Sequence, residues 1–279
     1  MSDVSQTEID LPEFRHPPVV EVAASIQFSP IAGLDAAHLG ALWLRFRERY
    51  PKTEQHSPLA TVTETFATPR PAASGLSVEQ RAFPTPRFWF VDQTNTRVVQ
   101  VQKNRLVVNW RQADTEANYP RYTTLREDIE AAFNILRDFL IDEGLEEPIP
   151  ELAELTYVNH LHAGERGKPR DSISRFLRYW QEPAGTILRS SPEEASLRAQ
   201  YVMQAGGQPV GRLYVELESA YRRRDNAPIY ILNMIARGAV GDRTLNGTLA
   251  FLDQAHFWIV RGFTDITTPE MHDIWERIQ

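Results

Sequence analysis

The sequence predicts an α+β fold made of a tandem pair of β-α-β(3-4)-α units. Three observations point there. Two long stretches of helical hydrophobic period, 124–144 and 244–263, each follow a run of strand candidates. Each half opens on an apolar strand. The second half repeats the element order of the first, with the seam at Pro148-Ile149-Pro150. The expected division is a flexible lead-in over 1–16, a first unit over 17–147 and a second over 148–279 that ends in a short helix.

Residues 1–16 are polar, lack periodicity and end at His16-Pro17-Pro18. Val19, Val20, Val22, Ala23, Ile26 and Phe28 then form an apolar strand closed by Ser29-Pro30. Asp35 caps a helix to about Tyr50, on which Leu39, Leu42, Trp43 and Phe46 recur at i, i+3, i+4 and i+7 as one buried stripe. Strands are expected over 59–67, 88–92, 97–102 and 105–110. The last two are joined by Lys103-Asn104, a tight turn because Asn tolerates positive φ. Pro69, Pro71, Pro84 and Pro86 bracket an irregular stretch, 69–87, expected to be a mobile insertion. A second helix starts near Thr124, which forms a capping-box pattern with Glu127. Leu125, Ile129, Phe133, Leu136 and Leu140 carry its period to Gly144.

The second unit reads as a strand over 152–163, a helix over 172–180, strands over 196–204, 209–219 and 229–238, and a helix over 244–263. Gly206-Gly207 marks a hairpin. Thr268-Pro269-Glu270, a cap residue before a proline, starts a final helix to about Arg277. The aromatic stripes Trp43 with Phe46 and Phe176 with Trp180 occupy the same slot in the two units. Each unit would wrap a long helix in a curved antiparallel sheet, similar to TATA-box-binding-protein-like or helix-grip-like folds.

Composition excludes several function classes. With 42% hydrophobic residues, the 279-residue chain has apolar material for a sizeable core. The absence of cysteine removes disulfides, thiolate metal sites and a cysteine nucleophile, and suits a cytoplasmic location. Met1 to Glu8 carries no basic-apolar signal pattern, and no run approaches the roughly 18 apolar residues of a membrane span, so no membrane partner is expected. A formal charge of −7 argues against a broad nucleic-acid footprint. Binding of double-stranded DNA through a saddle would need Arg222, Arg223, Arg224 and Lys103 on one concave surface.

Two stretches carry a family resemblance. They are His16-Pro17-Pro18-Val19-Val20-Glu21-Val22-Ala23-Ala24-Ser25-Ile26-Gln27-Phe28, and His256-Phe257-Trp258-Ile259-Val260-Arg261-Gly262-Phe263 followed by Thr267 to Trp275. The chain resembles a sporadically distributed, uncharacterised bacterial protein family of about this length. The resemblance implies a bacterial protein and attaches no activity to it. A patchy distribution would suit a mobile or defence-associated gene.

The candidate chemistry is sparse. His160 and His162 stand at i, i+2 on a strand, so both imidazoles leave one face, as a two-histidine metal site requires; Glu154, Glu216 or Glu218 would add an oxygen. A polar, solvated strand face is the reading preferred, and no cofactor is expected. His256 lies in register with Leu245, Leu249, Leu252 and Ile259, as a pocket base or as a core-edge side chain, with Asp253 or Glu216 as its partner in acid–base work. Glu21 interrupts the first strand and is expected on an exposed sheet face or paired with Arg111 or Arg237. The aromatic clusters Phe88-Trp89-Phe90-Val91 and Tyr179-Trp180 read as core, because stacking on single-stranded nucleic acid also needs interleaved basic residues. No Gly-x-Ser-x-Gly elbow and no glycine-rich phosphate loop occurs.

The expected function is therefore a non-catalytic interaction or adaptor subunit of a bacterial multi-protein system. It would present the sheet face or the 69–87 stretch to a protein partner. The alternative is a small-ligand sensor with an apolar cavity between sheet and helix, lined by Trp89, Trp110, Trp180 or Trp258. A metal-dependent enzyme around His160 and His162 stands third.

Overall fold

In chain order the elements are β1 (Val19–Phe28), α1 (Ala36–Phe46), β2 (Lys52–His56), β3 (Arg87–Val91), β4 (Arg97–Gln102), β5 (Arg105–Arg111) and α2 (Arg121–Asp142). Then follow β6 (Pro150–His162), β7 (Ser196–Ala205), β8 (Gln208–Tyr221), β9 (Pro228–Ala239), α3 (Leu245–Ile266) and α4 (Pro269–Ile274). They belong to a computed structural model that describes residues 11–66, 85–113, 119–165, 168, 170–181, 185, 187–188 and 192–279.

All nine strands join one open antiparallel sheet in the order β2-β3-β4-β5-β1-β6-β9-β8-β7. The two strands that open the halves of the chain pair at its centre, Ala24 opposite Leu155 and Ile26 opposite Ala153. Strand alternation then sorts every side chain to one of two faces. Val22, Ala24 and Ile26 of β1, Val108 of β5, Leu155 of β6 and Leu232, Met234 and Ala236 of β9 are buried on the helix side. There α2 packs on β5 and β1, α3 on β6, β9 and β8, and α1 on β3. The opposite face carries Glu21, Ser25, Gln27, Gln100, Gln102, Arg105, Asn109, Glu154 and Arg237.

Several sequence expectations hold at residue level. Asp35 accepts from the N–H groups of Ala37 and His38 at the start of α1, and Thr268 caps α4 ahead of Pro269. Gly206 and Gly207 have φ of 56° and 77°, the pair of positive values that a tight β7–β8 hairpin needs. Gly144, φ 68°, ends α2.

Others are corrected. The strand expected over 59–67 does not form over its described residues, 59–66. Residues 57–66 leave the sheet and lie across its polar face, while the polar stretch Lys52–His56 supplies an edge strand instead. Helix α2 begins at Arg121, with φ 70°, and has no side-chain cap; Thr124 bonds back to the Pro120 carbonyl and makes no capping box. The helix expected over 172–180 is a single 3-10 turn, Ile173–Arg175. The following residues bond instead to the end of α3, with Arg178 N–H on the Ile266 carbonyl. Asn104 turns the β4–β5 hairpin without positive φ. Of the expected lead-in, residues 1–10 lie outside the described residues. Phe14 is buried against Phe263 and Trp275, and Glu13, Arg15 and His16 bond to the backbone of residues 275–279. The stretch 67–84, most of the expected insertion, lies outside the described residues.

Gly238 marks a close approach. A Cβ there would stand 2.3 Å from the Val210 carbonyl oxygen and 2.4 Å from the Phe251 ring, whereas one at Gly40 on α1 would meet nothing within 4 Å. Gly238→Ala is expected to destabilise the fold by about 1–3 kcal/mol through overpacking. Gly40→Ala is expected to stabilise it by about 0.5–1 kcal/mol through helix propensity. Urea denaturation of the two variants checks both signs.

Candidate functional site

A cavity of about 570 Å³ opens on the helix face between β6, the start of α2, α3 and the N-terminal segment 11–19. Its walls are mostly apolar and include Phe14, Pro18, Met234, Ile259 and Phe263. Its polar groups converge from three elements. The Tyr119 and Tyr157 hydroxyls are 2.7 Å apart, and the Tyr157 hydroxyl is 3.0 Å from His256 Nδ1. Strand alternation places Tyr157 toward the helices, and α3 brings His256 over it. Tyr122 stacks on the His256 ring at 4.1 Å and donates to Asp253, which Arg126 also holds. Asn159, buried beside them, donates to the Leu232 carbonyl.

Burial decides the charge of these groups. It pulls the His256 imidazole down to about 4, against the upward pull of Asp253, so the ring is neutral at neutral pH. It pushes Tyr119 up to about 12 and raises Tyr157 and Tyr122 as well. Tyr119, Tyr122, Tyr157 and His256 are thus uncharged donors and acceptors at neutral pH, while the charged groups on the lining, Glu13 and Arg121, pair with each other.

A second cleft, of about 1140 Å³, lies at the same end of the sheet and shares Pro17, Pro18 and Val19 with the first. It gathers His160, His162, Arg222, Arg223 and Arg224, which the sequence singled out separately. Arg222 is forked on Asp225 and stands 3.0–3.1 Å from both ring nitrogens of His162. Burial first, then Arg222 and Arg224, depress the His162 pKa against the upward pull of Asp225; burial, then His162 and Arg222, depress that of His160. The Arg222 guanidinium thus stands against the His162 imidazole. Among the described residues no third histidine, cysteine or carboxylate joins a metal-sized group. Of the cleft's other cations, Lys168 pairs with Glu165, Arg175 with Asp171 and Glu270, and Arg224 shares Asp225 with Arg222.

The tryptophans correct the sequence expectation, since none of the four lines either cavity. Trp110 is buried on the helix face beside Tyr119, and Trp180 and Trp258 pack against the core. Trp89 lies on the opposite face, stacked on His56 at 4.0 Å with the Arg87 and Arg111 guanidinium groups over its ring. His256 is the sequence candidate that does line the apolar cavity. Tyr119, Tyr122 and Tyr157 were missed. The signal for Tyr157 was a tyrosine on the apolar side of a strand, facing a helix with a histidine in its stripe. Glu21 lies opposite Arg111 and accepts from Asn109; burial raises its pKa more than these two lower it, while Arg237 pairs with Glu154 instead.

Comparison of the chain with protein-family models, with curated proteins and with solved structures gives no match. Among the described residues no helix is long and apolar enough to cross a membrane.

The neutral His256 ties stability to pH. The unfolded ring takes its proton near pH 6.5 and the folded one only near pH 4, so the folded state binds fewer protons between these values. The stability this contributes is fully present above pH 6.5 and is lost as pH falls toward 4. Thermal melts across that interval are expected to fall more steeply for the natural chain than for His256→Gln; parallel profiles would contradict the assignment.

Proposed function

We propose that the protein is a non-catalytic small-ligand sensor that takes an uncharged, largely apolar molecule into the cavity beneath α3. The observation that carries this reading is the Tyr119–Tyr157–His256 chain inside a largely apolar cavity of about 570 Å³, whose two charged lining residues, Glu13 and Arg121, neutralise each other. Apolar walls supply affinity, and a few fixed polar groups orient one end of the ligand. A neutral histidine and neutral tyrosines favour a carbonyl or hydroxyl on that end over a carboxylate or an ammonium, whose desolvation they would not offset. The segment 11–16, held to the C-terminus by backbone bonds and to α2 by the Arg121–Glu13 ion pair, closes one wall and is placed to report occupancy.

The adaptor reading remains the second proposal. It is favoured by the polar sheet face, which no helix among the described residues covers. A cytoplasmic location belongs to the same proposal. We also infer that the chain arose by tandem duplication, on the strength of the strand order. Outward from the central β1–β6 pair run β5, β4 and β3 on one side and β9, β8 and β7 on the other, and a 22-residue helix closes each half of the run.

Uptake of N-phenyl-1-naphthylamine, a neutral apolar fluorophore, tests the ligand reading. Enhanced fluorescence with saturable binding is expected for the natural chain. Val260→Trp, which fills the cavity from α3, is expected to weaken uptake by about tenfold or more. Absence of uptake, or uptake indifferent to Val260→Trp in a variant of unchanged melting temperature, contradicts it.

A further inference from the structure

The polar face of the sheet, remote in role from the apolar cavity, already holds a piece of extended chain. Gln102 accepts the Leu59 N–H at 2.8 Å and donates to the Leu59 carbonyl at 3.0 Å. Gln27 does the same to Val62, at 3.0 and 2.9 Å. A carboxamide that grips both backbone groups of one residue reads extended chain without reading its side chain, as a neighbouring strand would. Arg105 donates to the Ala60 carbonyl, Asn104 to the Thr61 hydroxyl and Arg212 to the Thr65 carbonyl. Glu64 is enclosed by Arg212 and Tyr214, and Phe66 lies under the Arg212 guanidinium.

These contacts come from β4, β5, β1 and β8, so the segment runs across the strands. From Ala60 to Thr65 five extended residues reach about 17 Å, close to the roughly 19 Å of the four strand spacings between β5 and β8. Almost nothing apolar is gained: Leu59, Ala60, Thr61, Thr63 and Thr65 are exposed, and only Val62, Glu64 and Phe66 are partly covered. Beneath them Gln27, Gln102 and Arg105 are 4%, 2% and 6% exposed. Among the described residues Arg105 has no carboxylate in direct contact and its Nε has no partner; Glu154, the acid that acts on it electrostatically, is bonded to Arg237. An ion buried without a counter-charge is costly and invites one.

We propose that this face is a binding cleft for an extended acidic peptide of a partner protein, and that residues 59–66 occupy it in cis. The partner supplies one carboxylate at the position of Glu64, between Arg212 and Tyr214, and a second four residues earlier, above Arg105, where this chain has only Ala60.

The probe is a fluorescent synthetic peptide of residues 57–66, and a second peptide carrying Ala60→Glu. The full chain with Leu59→Pro and Val62→Pro, which deletes the two N–H groups the glutamines accept, is expected to bind both by fluorescence anisotropy. Binding should be about tenfold tighter for the Ala60→Glu peptide. Adding Gln27→Ala should abolish it, with an unchanged circular dichroism spectrum. A folded double-proline variant that binds neither peptide, that prefers the unsubstituted one, or that only exchanges segment 59–66 between two copies of the chain overturns the proposal. Should that variant not fold, hydrogen exchange on the natural chain decides. Excess Ala60→Glu peptide is expected to speed exchange of the Leu59 and Val62 amides by displacing them, and unchanged exchange overturns the proposal.

Discussion

The structure depends on one pairing. β1 and β6, the opening strands of the two halves, run antiparallel at the centre of the sheet, and their register decides the face of every other side chain. A slip of one residue would turn Val22, Ala24 and Ile26 outward and bring Glu21, Ser25 and Gln27 under the helices. Burial of the first set against α2 and α3 therefore fixes the second set as a polar surface. The ladder does not run evenly to its end. Between Val19 and Glu21 the register shifts, and beyond that irregularity the chain leaves as Pro17-Pro18, the shared wall of the two cavities. The place where the central pair loosens is the place where space opens.

The two faces consequently differ in their chemistry. On the helix side, three neutral polar groups, Tyr119, Tyr157 and His256, meet in a row among apolar side chains. On the other side the groups are long and polar, glutamine, asparagine and arginine. They reach up to hold a backbone that the ladder hydrogen bonds do not. The basic cleft at the sheet end is a third concave surface, but its arginines and lysine are largely paired with carboxylates, and its two histidines are kept neutral by burial and by a neighbouring guanidinium.

Much of the architecture was legible in the residues because local and tertiary preferences agree there. The apolar run Val19–Phe28, the Asp35 cap, the Gly206-Gly207 turn and the α3 stripe all read correctly from period and turn chemistry. Segment 59–66 misled because its alternation of Val62, Glu64 and Phe66 is that of a strand, while its hydrogen-bond partners are side chains that no periodicity displays. Lys52–His56 was hidden for the opposite reason: an edge strand needs little apolar surface, and charges there guard against unwanted pairing. The expected helix at 172–180 yielded to long-range bonds with the end of α3, invisible to local pattern. At the site, His256 was legible as a polar interruption of an apolar stripe. Tyr119 and Tyr157 were not, since their meeting depends on how α2 and β6 are placed.

Native-state hydrogen exchange followed residue by residue tests the central pairing most directly. If β1 and β6 hold the two halves in one cooperative sheet, their amides exchange slowest in the molecule and share a single free energy and denaturant dependence with the inner strands β5 and β9. Two separate opening energies, one for strands β3 to β5 and another for β7 to β9, with β1 or β6 exchanging faster than either, would contradict the account.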